Sequence, residues 1–233
     1  MATEKWFLWH DGAHRPAWNM STDEILLATA DRRRAPLLRF YQWDRSAVTI
    51  GYVQSFDAVT KTGVEVVRRP TGGGVVDHEQ DFTYSVAIPP SHWLVRLNRM
   101  ESYHYINRAV GYGLSQLGVT PSMAEEQIPR HVDRTTMVCF EQPTRYDVLA
   151  NDQKVAGSAQ RRTRDGILHQ GSVLLDELDT SFDNEQLQAS IEAGFVEVMG
   201  AEFSPFTPDR SFLDEIAAAE QERYSASEWI QRR

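Results

Sequence analysis

The sequence predicts an α+β fold built on a mostly antiparallel sheet. Runs of β-branched and aromatic residues come in neighbouring pairs with turn residues between them, as hairpins do. The stretches with helical periodicity stand apart from those pairs instead of alternating with them strand by strand. No repeat, low-complexity segment or linker interrupts the 233 residues, so a single domain spanning 1–233 is expected. A chain of this size buries roughly 70% of the surface it exposes when unfolded, enough for a full core.

Residues 6–10 form a short aromatic strand candidate. Ser21, followed three positions later by Glu24, has the pattern of a capping box and predicts a helix over 21–33. Pro36 closes that helix, because proline cannot continue it and pushes the preceding residue toward extended geometry. Residues 37–43 and 47–52 are rich in β-formers and flank Asp44-Arg45-Ser46, which predicts a hairpin. A short helix is expected over 57–62. Residues 64–67 and 82–88 read as a strand and its return strand, with a glycine turn between them. Apolar positions at three- and four-residue spacing predict a helix over 102–117, ended by Gly118. The polar stretch 121–134 reads as a loop and 137–140 as a strand. Residues 146–150 and 154–159 flank Asn151-Asp152-Gln153 as a further hairpin. A strand interrupted by Gly171 is expected over 167–175, and helices over 184–199, 212–222 and 225–231, the last capped by Ser225.

A formal charge of −9 argues against nonspecific nucleic-acid binding, which wants a basic face. It leaves room for a partner on a local basic cluster such as Arg32-Arg33-Arg34 or Arg161-Arg162. Cys139 is the only cysteine, so no internal disulfide framework exists. No basic segment followed by an apolar run opens the chain, and no stretch approaches ~20 uninterrupted apolar residues. A cytoplasmic protein without a membrane partner is expected.

The chemistry concentrates in three places. The first is Arg68-Arg69-Pro70-Thr71-Gly72-Gly73-Gly74-Val75-Val76-Asp77-His78. Three consecutive glycines remove every Cβ at one point, so another group can approach the backbone closely. The turn is not a Walker A loop, since no Lys-Ser/Thr follows, nor a dinucleotide fingerprint, since its glycines are contiguous. The second is Lys154, followed by Gly157, Ser158 and Ala159. A lysine within a strand is ordinarily a surface residue, but small neighbours clear space beside this one, and an ammonium in a low-dielectric pocket can stabilise a developing oxyanion. The third is Cys139. A free cysteine often serves only as a small core residue. It becomes a nucleophile when a nearby cation stabilises its thiolate, and Lys154 would do so if their strands adjoin. His78, His169 and Gly171 complete the candidates. For His169 a structural role stands beside that of a general base. No His/Cys/Asp spacing makes a zinc site, and no Gly-x-Ser-x-Gly elbow occurs.

The segments at 68–78, Lys154-Val155-Ala156-Gly157-Ser158-Ala159-Gln160 and His169-Gln170-Gly171-Ser172-Val173-Leu174-Leu175 resemble the lipoate–protein ligase and octanoyltransferase family. Trp18-Asn19-Met20 and Ile50-Gly51-Tyr52-Val53-Gln54 extend the resemblance over most of the chain. The resemblance implies the catalytic-domain fold shared by biotin and lipoate ligases, a mixed sheet flanked by helices, here without the accessory C-terminal domain of the larger ligases. It implies passage of an octanoyl or lipoyl group to a lysine of a lipoyl-carrier domain, either a glycine cleavage H protein or a 2-oxoacid dehydrogenase E2. It places the acyl tunnel and the activated carbonyl at Arg69 and from Gly74 to Asp77, with Lys154 as the motif lysine.

Two activation routes belong to that family. One takes octanoate from acyl carrier protein through a cysteine thioester and needs no cofactor. The other consumes ATP with Mg²⁺ and forms an acyl-adenylate. Cys139-Phe140, fifteen residues before Lys154, stands where one transferase branch carries its cysteine. Against this, Gly74 replaces an arginine frequent in that branch and looks ligase-like. Octanoyl transfer through Cys139 is the expected activity, with ATP-dependent ligation and acyl binding without catalysis as alternatives. In either catalytic version the acyl carbonyl is expected between the glycine turn and the Lys154 ammonium.

Overall fold

The computed structural model describes residues 3–125, 143–174 and 182–232. The strand candidate at 137–140, and Cys139 with it, lies outside those residues. The strands are β1 (Glu4–His14), β2 (Leu37–Trp43), β3 (Ala47–Ile50), β4 (Glu65–Arg68), β5 (Val76–Asp77), β6 (Asp81–Ile88), β7 (Pro121–Met123), β8 (Val148–Ala150), β9 (Gln153–Thr163), β10 (Gly166–Leu174) and β11 (Ala201–Pro205). The helices are α1 (Pro16–Ala28), α2 (Ala30–Arg33), α3 (Trp93–Arg96), α4 (Arg99–Gln116), α5 (Asn184–Met199), α6 (Arg210–Ala219) and α7 (Ser227–Ile230).

Among the described residues the strands make an eight-stranded sheet, ordered β11-β1-β2-β6-β10-β9-β8-β7, and a three-stranded sheet, β4-β3-β5. In the large sheet β1 runs parallel to β2 and to β11, and every other pairing is antiparallel. This is the expected mixed, mostly antiparallel sheet with helices on its faces.

Alternation along the strands separates the two faces. Leu38 and Phe40 of β2, with Phe82, Tyr84 and Val86 of β6, pack in one core with Ile106, Val110 and Leu114 of α4 and Ile191 and Phe195 of α5. Leu37 and Ala87 point the other way, toward Leu26 of α1 and Phe212 and Ile216 of α6. Met20 of α1, Tyr41 and Val67 make a third cluster where the small sheet joins the large one. Burying a side chain of this size is worth ~1.5–3 kcal/mol, so these two packed faces supply most of what holds the helices in place.

Several local expectations are corrected. Strands β2 and β3 are consecutive but do not form a hairpin. The turn at 44–46 instead hands the chain from the large sheet to the small one, where β3 pairs parallel with β4 and antiparallel with β5. For the same reason β4 and β6 are not a hairpin around the glycines, and the glycine segment bridges two sheets. Local turn chemistry says that a chain reverses, not which strand it then joins. Helix α1 begins at Pro16 in its first turn, and Ser21 lies inside it, donating to the Ala17 carbonyl at 2.7 Å. Proline at a helix start was the stronger signal. Residues 56–58 make only one 3₁₀ turn. The 121–134 segment opens with β7, β10 runs through Gly171 unbroken, and α7 is capped by Ala226, not Ser225. Helix α4 does carry a complete capping box, from Asn98 and Glu101, and Gly118 follows it at φ +85°. Asn151 and Asp152, at φ 50° and 63°, form the primed turn that the β8–β9 hairpin requires.

Candidate active site

The site lies at the seam between the two sheets. An open, mainly apolar cleft is lined by Met20, Tyr41, Trp43 and Val76 together with Lys154, Gly157, Ser158 and Ala159 of β9. Gln170, Gly171 and Ser172 of β10 form its floor. Strands β9 and β10 pair with Gly157 opposite Ser172 and Ser158 opposite Gly171, so small residues face each other across the floor. At Gly171 an added Cβ would lie 2.2 Å from the Tyr84 ring, and this packing requires glycine there.

Lys154 is buried, and its Nζ lies 2.8 Å from Oδ2 of the fully buried Asp147. Thr144 donates to the same oxygen from its backbone N–H at 2.7 Å and its hydroxyl at 2.8 Å. The Tyr103 hydroxyl lies 2.9 Å from Asp147 Oδ1 and also contacts the Ser158 carbonyl. Burial, and then the Asp147 charge, push the Tyr103 phenol well above its ordinary value, so it stays protonated. Ser158 donates to Asn107 of α4 at 2.9 Å. Asp147 and its donors thus hold the lysine in the wall of the cleft.

The glycine loop is held by its own arginine. Arg69 donates from Nη2 to the Gly72 and Gly74 carbonyls, each at 2.7 Å, and from Nη1 to the Thr49 hydroxyl at 3.1 Å. Gly51 packs flat on the loop, and a Cβ there would lie 2.1 Å from the Gly73 carbonyl oxygen. Arg68 binds the Gly51 and Gln54 carbonyls at 2.9 and 2.6 Å, and the carbonyls of Ile230 and Arg232 at 2.8 and 3.0 Å. Thr71 donates to Gln170 Oε1 at 2.6 Å, and Gln170 Nε2 donates to Asp23 of α1 at 2.7 Å. Asp23 is fully buried with Arg39, which also binds Asp11 and Asn19. Burial works against the Arg39 charge, but Asp23 and Asp11 outweigh it and raise its pKa. This network ties the glycine loop to α1 beneath the cleft.

His78 lines the cleft and stacks on Trp43 with ring centroids 4.1 Å apart. Its Nδ1 lies 2.7 Å from Asp81 Oδ2 and its Nε2 2.9 Å from the Thr49 hydroxyl. Ser172 and Thr83 donate to the same Asp81 oxygen.

The structure therefore brings Lys154, Arg69, Val76, His78, Gly157, Ser158, Ala159 and Gly171 to one cleft. Gly72 and Gly73 line an adjoining recess that shares Ser158 and Ala159 with it. Gly74 contributes the carbonyl that Arg69 holds. Val75 is not part of the cleft wall, and Asp77 is exposed and paired with Lys61 at 2.6 Å. His169 is also absent from the wall. Strand alternation turns it to the opposite face, between Tyr84 and Tyr103, where burial alone lowers its pKa to about 3. Cys139 lies outside the described residues. Sequence reasoning missed Asp147, whose only local signal is Thr144 three residues earlier, and the cleft residues Met20, Tyr41 and Trp43. Met20 had stood in a noted motif without a role.

A mainly apolar cleft with a buried lysine in its wall suits an aliphatic chain carrying a carbonyl. The lipoyl protein ligase A/B catalytic-domain model matches residues 15–193, and the chain belongs to that family. It is 35% identical to the octanoyltransferase LipM of Staphylococcus aureus (strain NCTC 8325 / PS 47), over 84% of this chain and 77% of that one. It is 31% identical to LipM of Staphylococcus epidermidis (strain ATCC 35984), over 99% and 100%. Among solved structures it resembles protein Ta0514 of T. acidophilum with bound lipoic acid, at TM-score 0.80 and 22% identity over 99% of both chains. It likewise resembles lipoate-protein ligase A bound with ATP, at TM-score 0.79 and 22% identity over 99% of both chains. The two structural likenesses establish the fold.

Proposed function

We propose that the chain is a protein octanoyltransferase of lipoate attachment, taking the acyl group from acyl carrier protein and passing it to a lysine of a lipoyl-carrier domain. The observation that carries this reading is the Lys154 ammonium, buried and braced by Asp147 in the wall of an apolar cleft, in a chain whose full-length relatives are octanoyltransferases. In this reading the Cys139 thiolate attacks the donor's thioester carbonyl. The donor thiol leaves, taking a proton, and a Cys139 thioester remains. The neutral acceptor lysine amine then attacks that thioester, the C–S bond breaks, the Cys139 sulfur leaves with the proton the amine gives up, and an amide is formed. Lys154 stabilises the oxyanion in both steps, a role typically worth ~10²–10³ in rate. No ATP or metal takes part in either step. The glycine cleavage H protein and the E2 lipoyl domain are the two acceptor types that fit.

Intact-mass measurement tests the proposal. Incubation with octanoyl carrier protein, without ATP, should add one octanoyl group to the wild type and none to Cys139→Ala. Full transfer by Cys139→Ala would remove the thioester route. A strict requirement for ATP, Mg²⁺ and free acid would favour ligation instead.

A further inference from the structure

A second recess beside the acyl cleft has no part in the reaction above. It is a shallow open hollow lined by Gly72, Gly73, Arg99, Tyr103, Thr144 and Arg145. It meets the acyl cleft at Ser158 and Ala159, which line both. Tyr103 and Thr144 both contact Asp147, the partner of Lys154, so the inner end of the recess borders the reacting centre. Arg99 and Arg145 are exposed and mark its outer end.

The charge there runs against that of the whole molecule. The chain carries −9, yet among the described residues no carboxylate lines this recess and two guanidiniums do. More arginines stand close by. After burial, Arg99 is what lowers the pKa of Arg162, and Arg108 and Arg145 act in the same way on His104. Arg99 is the first residue of α4, so its position is set by the capped helix start, and Arg145 stacks over Tyr146 at 4.8 Å. Two guanidinium forks lining a hollow with no carboxylate among its described residues are a phosphate-binding arrangement.

We infer that the recess receives the phosphorylated arm of a thioester acyl donor, with Arg99 and Arg145 holding the phosphate while the acyl carbonyl lies at Lys154. The inference rests on the carrier-thioester reading above. The position of the arginines favours such an arm over a nucleotide. An acyl-adenylate carries its phosphate directly on the acyl carbon, beside Lys154. The guanidiniums lie at the exposed mouth, where only a phosphate separated from the carbonyl by a linker would meet them.

The test compares two donors, octanoyl carrier protein with its phosphodiester-linked arm and octanoyl-pantetheine without a phosphate. For Arg99→Ala/Arg145→Ala, kcat/KM with the carrier donor should fall about tenfold or more relative to that with octanoyl-pantetheine, mainly through KM, as expected for losing charged hydrogen bonds. Arg99→Lys/Arg145→Lys should recover part of the loss. Asn98 still caps α4 in each variant, so the fold is preserved. Equal losses with both donors, or none with either, would overturn the assignment while leaving octanoyl transfer intact. A wild type that uses neither thioester and requires ATP with free acid would overturn the transferase reading as well.

Discussion

Lys154 and Asp147 form an ion pair with side chains only 5% and 0% exposed, Nζ to Oδ2 2.8 Å. Desolvating both charges is costly, and the pair persists because Thr144 and Tyr103 complete the hydrogen bonding of the carboxylate. Its purpose is to place an ammonium where an apolar wall would otherwise stand. Lys154→Met should therefore lower acyl transfer by ~10²–10³. Asp147→Ala, which strands the lysine, should cost ~3–5 kcal/mol of stability. Single-turnover transfer and urea denaturation measure the two effects. Wild-type transfer by Lys154→Met would rule out an oxyanion role.

Arg69 acts through the loop it holds. Its fork spans the Gly72 and Gly74 carbonyls, and a lysine ammonium cannot reproduce that planar pattern. Arg69→Lys should keep the charge yet reduce kcat/KM for octanoyl transfer about tenfold, the size of one or two lost charged hydrogen bonds. If the lysine variant matches the wild type, charge alone matters at this position.

Gly171→Ala places a methyl group 2.2 Å from the Tyr84 ring in the middle of the sheet. The overpacked strand should lose ~1–3 kcal/mol. For a domain of this size, each kcal/mol lowers Tm by ~2–4 °C. Calorimetry of Gly171→Ala and of Gly171→Ala/Tyr84→Leu should show the loss in the first and partial recovery in the second.

His169 ties stability to acidity. Its folded pKa, about 3, lies well below the ordinary histidine value because burial excludes the charged ring. The unfolded chain binds a proton at His169 below about pH 6.5, and the folded chain does not until near pH 3. Above pH 6.5 the ring is neutral in both states and adds no pH dependence to stability. Below it, stability falls by about 1.4 kcal/mol per pH unit from this group. His169→Phe keeps an aromatic ring between Tyr84 and Tyr103 and removes the titration. Urea melts between pH 4 and 7 should show a shallower acid slope for His169→Phe, and identical slopes would mean that the buried ring is not the source.

The parts of this fold set by short-range patterning could be read in advance. Helix α5 spans the predicted residues because Asp183 caps it and Gly200, at φ +70°, ends it. The β8–β9 hairpin follows from Asn151-Asp152. Partnering between distant strands could not be read. β2 and β3 look like a hairpin locally, and only packing of Leu37 against α1 and α6, and of β3 against β4, separates them into two sheets. The parallel seat of β11 on β1 has no local signal at all. The site divides in the same way. The glycine loop and Lys154 announce themselves by composition. Asp147 becomes visible only when the hairpin folds it onto the lysine. For His169 the structural reading agrees with its buried place between Tyr84 and Tyr103, and its grouping with the cleft residues does not, because one step along a strand reverses the face.

The clamp that Arg68 makes on Trp229, Ile230 and Arg232 is entirely to backbone carbonyls. Those carbonyl contacts by themselves depend on the spacing of the closing segment. The side chains of that stretch add their own hold, Trp229 donating from Nε1 to the Arg68 carbonyl at 3.1 Å and Arg232 to the Tyr52 carbonyl at 2.7 Å, so its identity and its spacing both anchor it beside the glycine loop.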